Sequence, residues 1–324
     1  MGQSLIKVVA GIIQQNNKIM CARRRSGKHL AGYWEFPGGK VNASEPYEAA
    51  LVRELEEELS ITVQVGPHIG QSTYNYGGKS IQLHAYLCPK YKGAISLDSH
   101  DAICWLSLDE LITLEWAPAD IPLISQLKTF LYYENAAKKY ANETAQFDMD
   151  AAYIPFLNAI KPNGYILDLG CGSARDALAF KKLGYRVCAA DACPSVANIA
   201  KDFLGEPVLV MNCFQMAYKN TFDGIWACAS LLHSPKQELT YALEKIIEAL
   251  NPGGIAFLSF KEGTGEGEDN LGRFFSYYQP QELRDILDNF DGIKYINFWQ
   301  EEKDLRGIKQ IWINILFCKD ESHD

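Results

Sequence analysis

Glu54, Glu57 and Glu58 stand at i,i+3 and i,i+4 spacing, so a helix through them lines their carboxylates along one face. Arg53 precedes Glu57 by one turn and can hold its carboxylate with a planar donor fork. Like charges this close repel, by roughly 0.2–0.5 kcal/mol for each helical pair. A hard divalent cation removes that repulsion, and Mg2+ takes a few carboxylates together with the phosphate oxygens of a substrate. The other reading of such a run is a solvated acidic face. Upstream, Gly38-Gly39-Lys40 makes a turn at which backbone comes close to a metal or phosphate, and Lys40 can neutralise charge developing there. Arg23-Arg24-Arg25 end a strand shortly before it, either as solvated surface or with one arginine as a phosphate ligand.

A second constellation begins at Ile166-Leu167-Asp168-Leu169-Gly170-Cys171-Gly172, a strand running into a glycine turn and a helix. Asp191, followed by Ala192, ends a strand about twenty residues later, where a carboxylate can take both hydroxyls of a ribose. A dinucleotide loop would want a third glycine at position 175, and Arg175 stands there, which speaks against NAD or FAD.

The elements that position these groups follow from periodicity and turn chemistry. Residues 8–13 and 18–22 read as strands joined by an Asn16-Asn17 turn. Ser44 suits an N-cap and Pro46 a first turn, so a helix is predicted from there to about Leu59, with Ala50, Leu51 and Leu55 inward. Residues 62–65, 80–88 and 102–106 read as further strands, with His84 in the core or a pocket wall. A helix opens around residues 116–123, and residues 127–147 keep a helical period with no Gly/Ser linker. The predicted boundary is near 128, giving domains 1–128 and 129–324, joined by a rigid helix packed on the second. Strands at 187–191, 208–211, 222–227 and 255–260 alternate with helices, the pattern of a parallel, doubly wound α/β sheet. Residues 261–270, rich in glycine and glutamate, read as a mobile flap.

Composition bounds the function. A chain of 324 residues is long for one domain, and 48% hydrophobic with 22% charged residues is ordinary for a soluble globular protein. No apolar run approaches the ~20 residues of a membrane helix, and no charged-then-apolar leader is present. Nine scattered cysteines without CxxC pairs indicate reduced thiols and a cytoplasmic setting. A net charge of −9 argues against general nucleic-acid binding.

The run Gly39, five residues, Glu45, seven residues, Arg53-Glu54-Leu55-x-Glu57-Glu58-x-Ser60-Ile61 resembles the Nudix box, with Ser60 where the family usually has glycine. A glycine there would supply an easy left-handed C-cap, so Ser60 should alter the turn rather than the chemistry. Trp34-Glu35-Phe36-Pro37-Gly38-Gly39-Lys40 and Ala117-Pro118-Ala119-Asp120 look like the MutT-type group, most like its CTP pyrophosphohydrolase branch. The resemblance implies an α/β/α sandwich with a mixed sheet. It also implies attack of water on a nucleoside triphosphate, aided by Mg2+ (or Mn2+), giving the monophosphate and pyrophosphate. By it, Glu57, Glu58 and the Gly39 carbonyl are metal ligands, Glu54 is a ligand or the base that activates water, and Arg24 is a phosphate contact. Asp120 falls where the group reads the base. An ionised Asp accepts hydrogen bonds and cytosine offers its N4 amino group, which favours cytosine over oxidised guanine. Asp120 also suits an N-cap of the final helix. The 98–101 loop offers a further acidic ligand.

The acidic strand followed by Gly-Cys-Gly resembles motif I of class I S-adenosylmethionine-dependent methyltransferases, a Rossmann-like doubly wound fold. The likeness runs from about residue 135 to the end and is closest to small bacterial enzymes with Asp223-Gly224-Ile225-Trp226-Ala227 and Ser230-Leu231-Leu232-His233 at the fourth strand. It makes Asp168, Gly170, Cys171, Gly172, Asp191 and Ala192 cofactor contacts and leaves Asn212-Cys213-Phe214 beside adenine. No Pro-Pro-Tyr/Phe pattern or Pro-Cys nucleophile loop follows that strand, so a small-molecule methyl acceptor is expected. Methyl transfer from a sulfonium rests mainly on in-line positioning. His233 is a candidate base or a structural histidine, while Arg273 and Arg306 either hold an anionic acceptor or pair with nearby carboxylates. Together these readings predict a bifunctional enzyme. The alternative is a methyltransferase regulated by a nucleotide-sensing Nudix module.

Overall fold

The computed structural model describes residues 4–305 and 308–321, in two units, Met1–Lys128 and Thr129–Asp324. Arg306 lies outside the described residues. Among those described, no helix is long and apolar enough to cross a membrane.

The first unit is built on β1 (Ser4–Gln15), whose Val9, Ala10, Ile12 and Ile13 are fully buried because both faces of the strand are covered. Asn16 and Asn17 both take positive φ, 50° and 59°, in a two-residue turn to β2 (Lys18–Arg24); asparagine tolerates that region better than most residues. β3 (Trp34–Glu35) pairs with β2, and β4 (Gly38–Lys40) pairs antiparallel with β1.

Helix α1 (Tyr47–Leu59) buries Ala50, Leu51, Leu55 and Leu59 against Val9, Ile13, Tyr86 and Cys88. Its start departs from the sequence expectation. Ser44 is left-handed (φ 64°) and Pro46 is the N-cap. Arg53 and the Asn42 N–H hold the Glu45 carboxylate, which keeps this segment out of the helix. At the other end Ser60 takes the left-handed conformation itself (φ 56°, ψ 32°), and its N–H reaches the Glu56 carbonyl.

β5 (Thr62–Gln64) pairs with β8 (Lys90–Lys92), apart from the main sheet. β6 (His68–Asn75) and β7 (Lys79–Cys88) form a hairpin, and β7 runs parallel to β1 over ten residue pairs. β9 (His100–Leu106) pairs with β2, so the order β3-β2-β1-β7-β6, with β4 and β9 attached, makes a mixed sheet. His84 is buried in β7, with its ring stacked on Tyr47 at 4.4 Å. Burial lowers its pKa to about 4. The boundary at Lys128 falls inside α2 (Ile121–Thr144).

In the second unit, α3 (Asp150–Ala159), β10 (Tyr165–Leu169), α4 (Arg175–Lys182), β11 (Arg186–Asp191), α5 (Pro194–Leu204), β12 (Leu209–Val210) and β13 (Phe222–Ala227) alternate. Then come α6 (Leu239–Ala249), β14 (Leu250–Lys261), β15 (Glu266–Glu268), β16 (Phe274–Ser276), α7 (Pro280–Leu287), β17 (Ile293–Leu305) and β18 (Ile308–Lys319). The sheet order is β12-β11-β10-β13-β14-β18-β17, parallel except for β18, which runs antiparallel to both of its neighbours. Neighbouring residues along a strand enter different cores, Leu167 and Leu169 one and Ile166 another, so both faces are covered as in a Rossmann-like sheet. The strand order reverses between β10 and β13, where open α/β sheets bind ligands. The 261–270 segment is not the bare flap expected. Glu266–Glu268 pairs with Phe274–Ser276, and Asp269 binds Arg273 through its backbone and its guanidinium.

Candidate functional site

In the first unit the glycine turn and the acidic helix meet. A Cβ on Gly39 would lie 2.0 Å from Glu54 Oε2, so only glycine leaves room for that carboxylate. Gly38 is held still more tightly, since its Cβ would meet the Val9 carbonyl oxygen at 2.0 Å. Arg53 fixes the arrangement. Its Nε and Nη2 donate to the two oxygens of Glu45 at 2.9 Å, its Nη1 to Glu54 Oε1 at 2.8 Å, and its Nη2 to the Lys40 carbonyl at 3.0 Å. The hydrogen bonds from Arg53 pull the Glu45 pKa down to about 2. The main partner of Arg53 is thus Glu45, not Glu57, which it touches at 3.4 Å and whose side chain is 60% exposed.

Glu58 faces inward. Burial raises its pKa, and its Oε2 is buried with no hydrogen-bond partner. Beside it, Glu35 receives Arg24 Nη1 on one oxygen and His100 Nε2, at 2.9 Å, on the other. A cleft of about 850 Å3, mouth included, is lined by Arg24, Gly39, Lys40, Glu58 and Asp120, together with Lys28 and Glu35. Asp120 is 3% exposed and accepts the Phe36 N–H at 2.9 Å; burial, then the nearby Glu35, raises its pKa. In the 98–101 loop, Asp101 pairs with Arg23 at 2.7 Å.

The donor set fits a hard divalent cation. It is all oxygen, and one carboxylate oxygen is buried without a partner. Among the described residues no three His, Cys, Asp or Glu side chains converge on one point. Mg2+ does not require that, because it keeps several waters and substrate oxygens instead of a closed protein cage.

The second unit gathers its predicted residues at the carboxyl ends of β10 and β11. Gly170 (φ 79°) and Gly172 (φ 54°) turn the chain, and a Cβ on Gly170 would collide with Ser230 Oγ at 2.2 Å. The N–H groups of Gly170 and Cys171 both donate to the Ala190 carbonyl. Asp191 accepts the Gly172 and Cys193 N–H groups at 3.0 Å, and burial still raises its pKa to about 6, against their pull and that of Ala192. Asp168 is buried, and its Oδ2 accepts the Ala177 N–H at the start of α4. Arg175, where a dinucleotide loop has glycine, forks onto Asp176, which Tyr153 and Trp226 also bind. Asn212 caps its own short turn by accepting the Phe214 N–H.

His233 is enclosed. Its Nδ1 lies 2.7 Å from the Phe274 carbonyl, so Nδ1 carries the proton and Nε2 accepts from Tyr133 O–H at 2.9 Å. Burial lowers its pKa to about 4. Arg273 engages Asp269 with Nε and Nη2 and lies over the Tyr132 and Phe275 rings. Sequence reasoning passed over Glu35, His100, Tyr133, Asp176, Lys261 and Trp312. Glu35, inside the glycine-turn segment, and Asp176, next to Arg175, had a local signal; the contacts of the others are mainly tertiary.

A NUDIX domain family model matches residues 5–127, and a Methyltransferase domain model matches residues 167–258. The CTP pyrophosphohydrolase of Escherichia coli (strain K12) is 42% identical over 120 residues, 37% of this chain and 89% of that protein. A putative 8-oxo-dGTP diphosphatase 2 of Mycobacterium tuberculosis (strain ATCC 25618 / H37Rv) is 40% identical over 123 residues, covering 37% of this chain and 86% of its own. Among solved structures, the Burkholderia thailandensis 1,6-didemethyltoxoflavin-N1-methyltransferase covers 60% of this chain and 87% of its own at 20% identity and a TM-score of 0.48. Identity at this level over most of the length of those hydrolases makes the chain, through its first unit, a member of the Nudix family, and its second unit carries a methyltransferase domain.

Proposed function

We propose that the chain is a bifunctional enzyme. Residues 1–128 hydrolyse a cytosine-type (deoxy)nucleoside triphosphate to the monophosphate and pyrophosphate, and residues 129–324 transfer a methyl group from S-adenosylmethionine to a small molecule. The observation that carries the first half is the unpartnered Glu58 oxygen in a cleft shared with Arg24, Lys40 and Asp120. When bound there, Mg2+ or Mn2+ supplies the positive charge that draws in the phosphate oxygens.

Glu57, Glu58 and the Gly39 carbonyl are the residues to hold that cation. Glu54, oriented by Arg53, takes the proton from water as its oxygen bonds to phosphorus and pyrophosphate leaves. Arg24 and Lys40 meet the phosphates. Asp120 meets the base, and a carboxyl oxygen accepts the cytosine N4 amino group. The relatives named for CTP and for 8-oxo-dGTP stand at similar identity, so the choice of base rests on Asp120. In the second half Asp191 receives the ribose hydroxyls, Ala192 lies beside them, and Asp168 holds the glycine turn of Gly170, Cys171 and Gly172 against α4.

The test is pyrophosphate release from CTP, dCTP, UTP and 8-oxo-dGTP with Mg2+, using Glu58→Gln as the control. Turnover strongest for cytosine nucleotides and lost in the variant supports the reading. Preferred turnover of 8-oxo-dGTP overturns the base assignment, and no turnover of any nucleotide sinks the hydrolase.

A further inference from the structure

At the carboxyl end of β14, in the second unit, a cation stands without a counter-ion. Lys261 is half-buried, and its ammonium lies 3.6 Å from the centre of the Phe275 ring and 6.0 Å from that of Trp312. Among the described residues no carboxylate lies within ion-pair distance of it. Arg273 lies over the same Phe275 ring, and Asp269, whose charge acts on Lys261, is taken up by Arg273. Two cations therefore share one carboxylate. Lys261 and Trp312 are directly opposed across the β14–β18 ladder, which puts their side chains on one face of the sheet. The Trp312 indole N–H is buried and has no acceptor. The indole N–H is thus a buried donor without an acceptor, a costly arrangement for the protein alone, and the half-buried ammonium on the same face has no ion pair among the described residues.

A line of rings connects this spot to the glycine turn. Tyr140 comes within 3.3 Å of where a Gly172 Cβ would stand, and its ring lies 4.9 Å from Tyr133. Tyr133 bonds His233, whose ring lies 4.7 Å from Phe275. Burial, then Arg273, lowers the Lys261 pKa to about 8, which agrees with an ammonium short of negative charge.

We propose that Lys261 and the Trp312 indole N–H receive an anionic oxygen of the methyl acceptor, and that the acceptor is a small flat aromatic molecule carrying a carboxylate or an ionised hydroxyl. The flatness follows from the Phe275 and Trp312 rings that flank the cation, and the charge from the uncompensated ammonium. This rests on the methyltransferase reading of the second unit.

The probe is pyridoxal 5′-phosphate, a flat anionic aldehyde, applied to the full chain with S-adenosylhomocysteine. Its carbonyl condenses with a lysine amine to an imine with loss of water, and borohydride reduces the imine to a stable mark mapped on peptides. Uncharged-tailed pyridoxal is the comparison. Lys261 should be marked roughly tenfold more by the phosphate form, while exposed Lys294 shows little difference, and millimolar benzoate should protect Lys261. Trp312→Phe, which keeps the ring and removes the N–H, should reduce that preference. Equal marking by both aldehydes, or an unmarked Lys261, overturns the proposal. Calorimetry with S-adenosylhomocysteine separates the two levels. No binding to the wild type sinks the methyltransferase reading itself, whereas binding without anion preference at Lys261 sinks this inference alone.

Discussion

Gly39→Ala separates catalysis from folding in the first unit. Gly39 pairs with Val9 in the sheet, and its φ is not positive, so alanine suits the backbone. What alanine meets is Glu54. Its Cβ would stand 2.0 Å from Oε2, 2.3 Å from Cδ and 2.8 Å from Oε1, all atoms at the end of a rotatable side chain. To reach ordinary van der Waals contact the carboxylate must retreat by about 1.4 Å. That retreat breaks the 2.8 Å bond from Arg53 without opening a cavity or stranding a buried group. Misplacing a reacting group by about 1 Å costs on the order of a hundredfold in rate, or about 2.7 kcal/mol of transition-state stabilisation. The assay is kcat/KM for pyrophosphate release by the full chain, with the thermal midpoint and S-adenosylhomocysteine affinity measured alongside. The expected result is a loss of about a hundredfold in kcat/KM, mostly in kcat, with midpoint and cofactor affinity unchanged. Wild-type kcat/KM in a folded Gly39→Ala protein would refute the placement of Glu54 at the reacting water.

Arg53→Lys keeps the charge but cannot span Glu45, Glu54 and the Lys40 carbonyl together, so it should cost about ten- to a hundredfold in kcat with little change in KM; steady-state kinetics showing near-normal kcat would contradict this. Ser60→Gly should stabilise the protein by about 0.5–1 kcal/mol, because glycine relieves the left-handed strain at φ 56° while losing somewhat more chain entropy. Urea unfolding that shows Ser60→Gly to be destabilised would show the strain is absent. Cofactor binding should depend on Asp191, whose pKa is raised to about 6: its ionised form accepts ribose hydroxyls, so S-adenosylhomocysteine affinity should rise with pH through about 6 and level off above it. Calorimetry between pH 5 and 8 checks the slope, and a profile as steep in Asp191→Asn assigns it to another group.

The sequence was most legible where one local rule decided the outcome. The β1–β2 turn, the inward face of α1 and the alternation of the second unit follow from Asn16-Asn17, from Ala50, Leu51 and Leu55 at helical spacing, and from apolar strands closed by glycine or proline. The start of α1 was misread because Ser44 and Pro46 are good capping residues by propensity, while the Arg53–Glu45 pair, eight residues apart, outweighs propensity there. β6 gave no alternating pattern, since five consecutive residues from His68 to Ser72 are buried and three of them are polar. The 261–270 segment looked solvated by composition; its order comes from the pairing of β15 with β16 and from Asp269 gripping Arg273, neither of which composition reveals.

The same distinction bears on whether the first unit catalyses or only senses nucleotide. A binding module gains nothing from like charges crowded on one helix, because each carboxylate near a triphosphate opposes binding. Here Arg53 keeps Glu45 ionised and presses Glu54 over Gly39, and Glu58 is buried with an oxygen unpartnered. The crowding of Glu54 and the burial of Glu58 each lower stability or affinity in isolation, and they become favourable only when a cation and a phosphate chain complete the site. An unmet buried polar group beside such a turn is what a protein retains when a reaction needs it. The second unit shows the same economy at its sheet edge, where Asp191 stays partly charged against burial and Lys261 stays unpaired beside Arg273. In both units some of the departures from a well-satisfied interior, Glu58 and Trp312 among them, lie near the glycine turns or at strand ends, where each proposed reaction would take place.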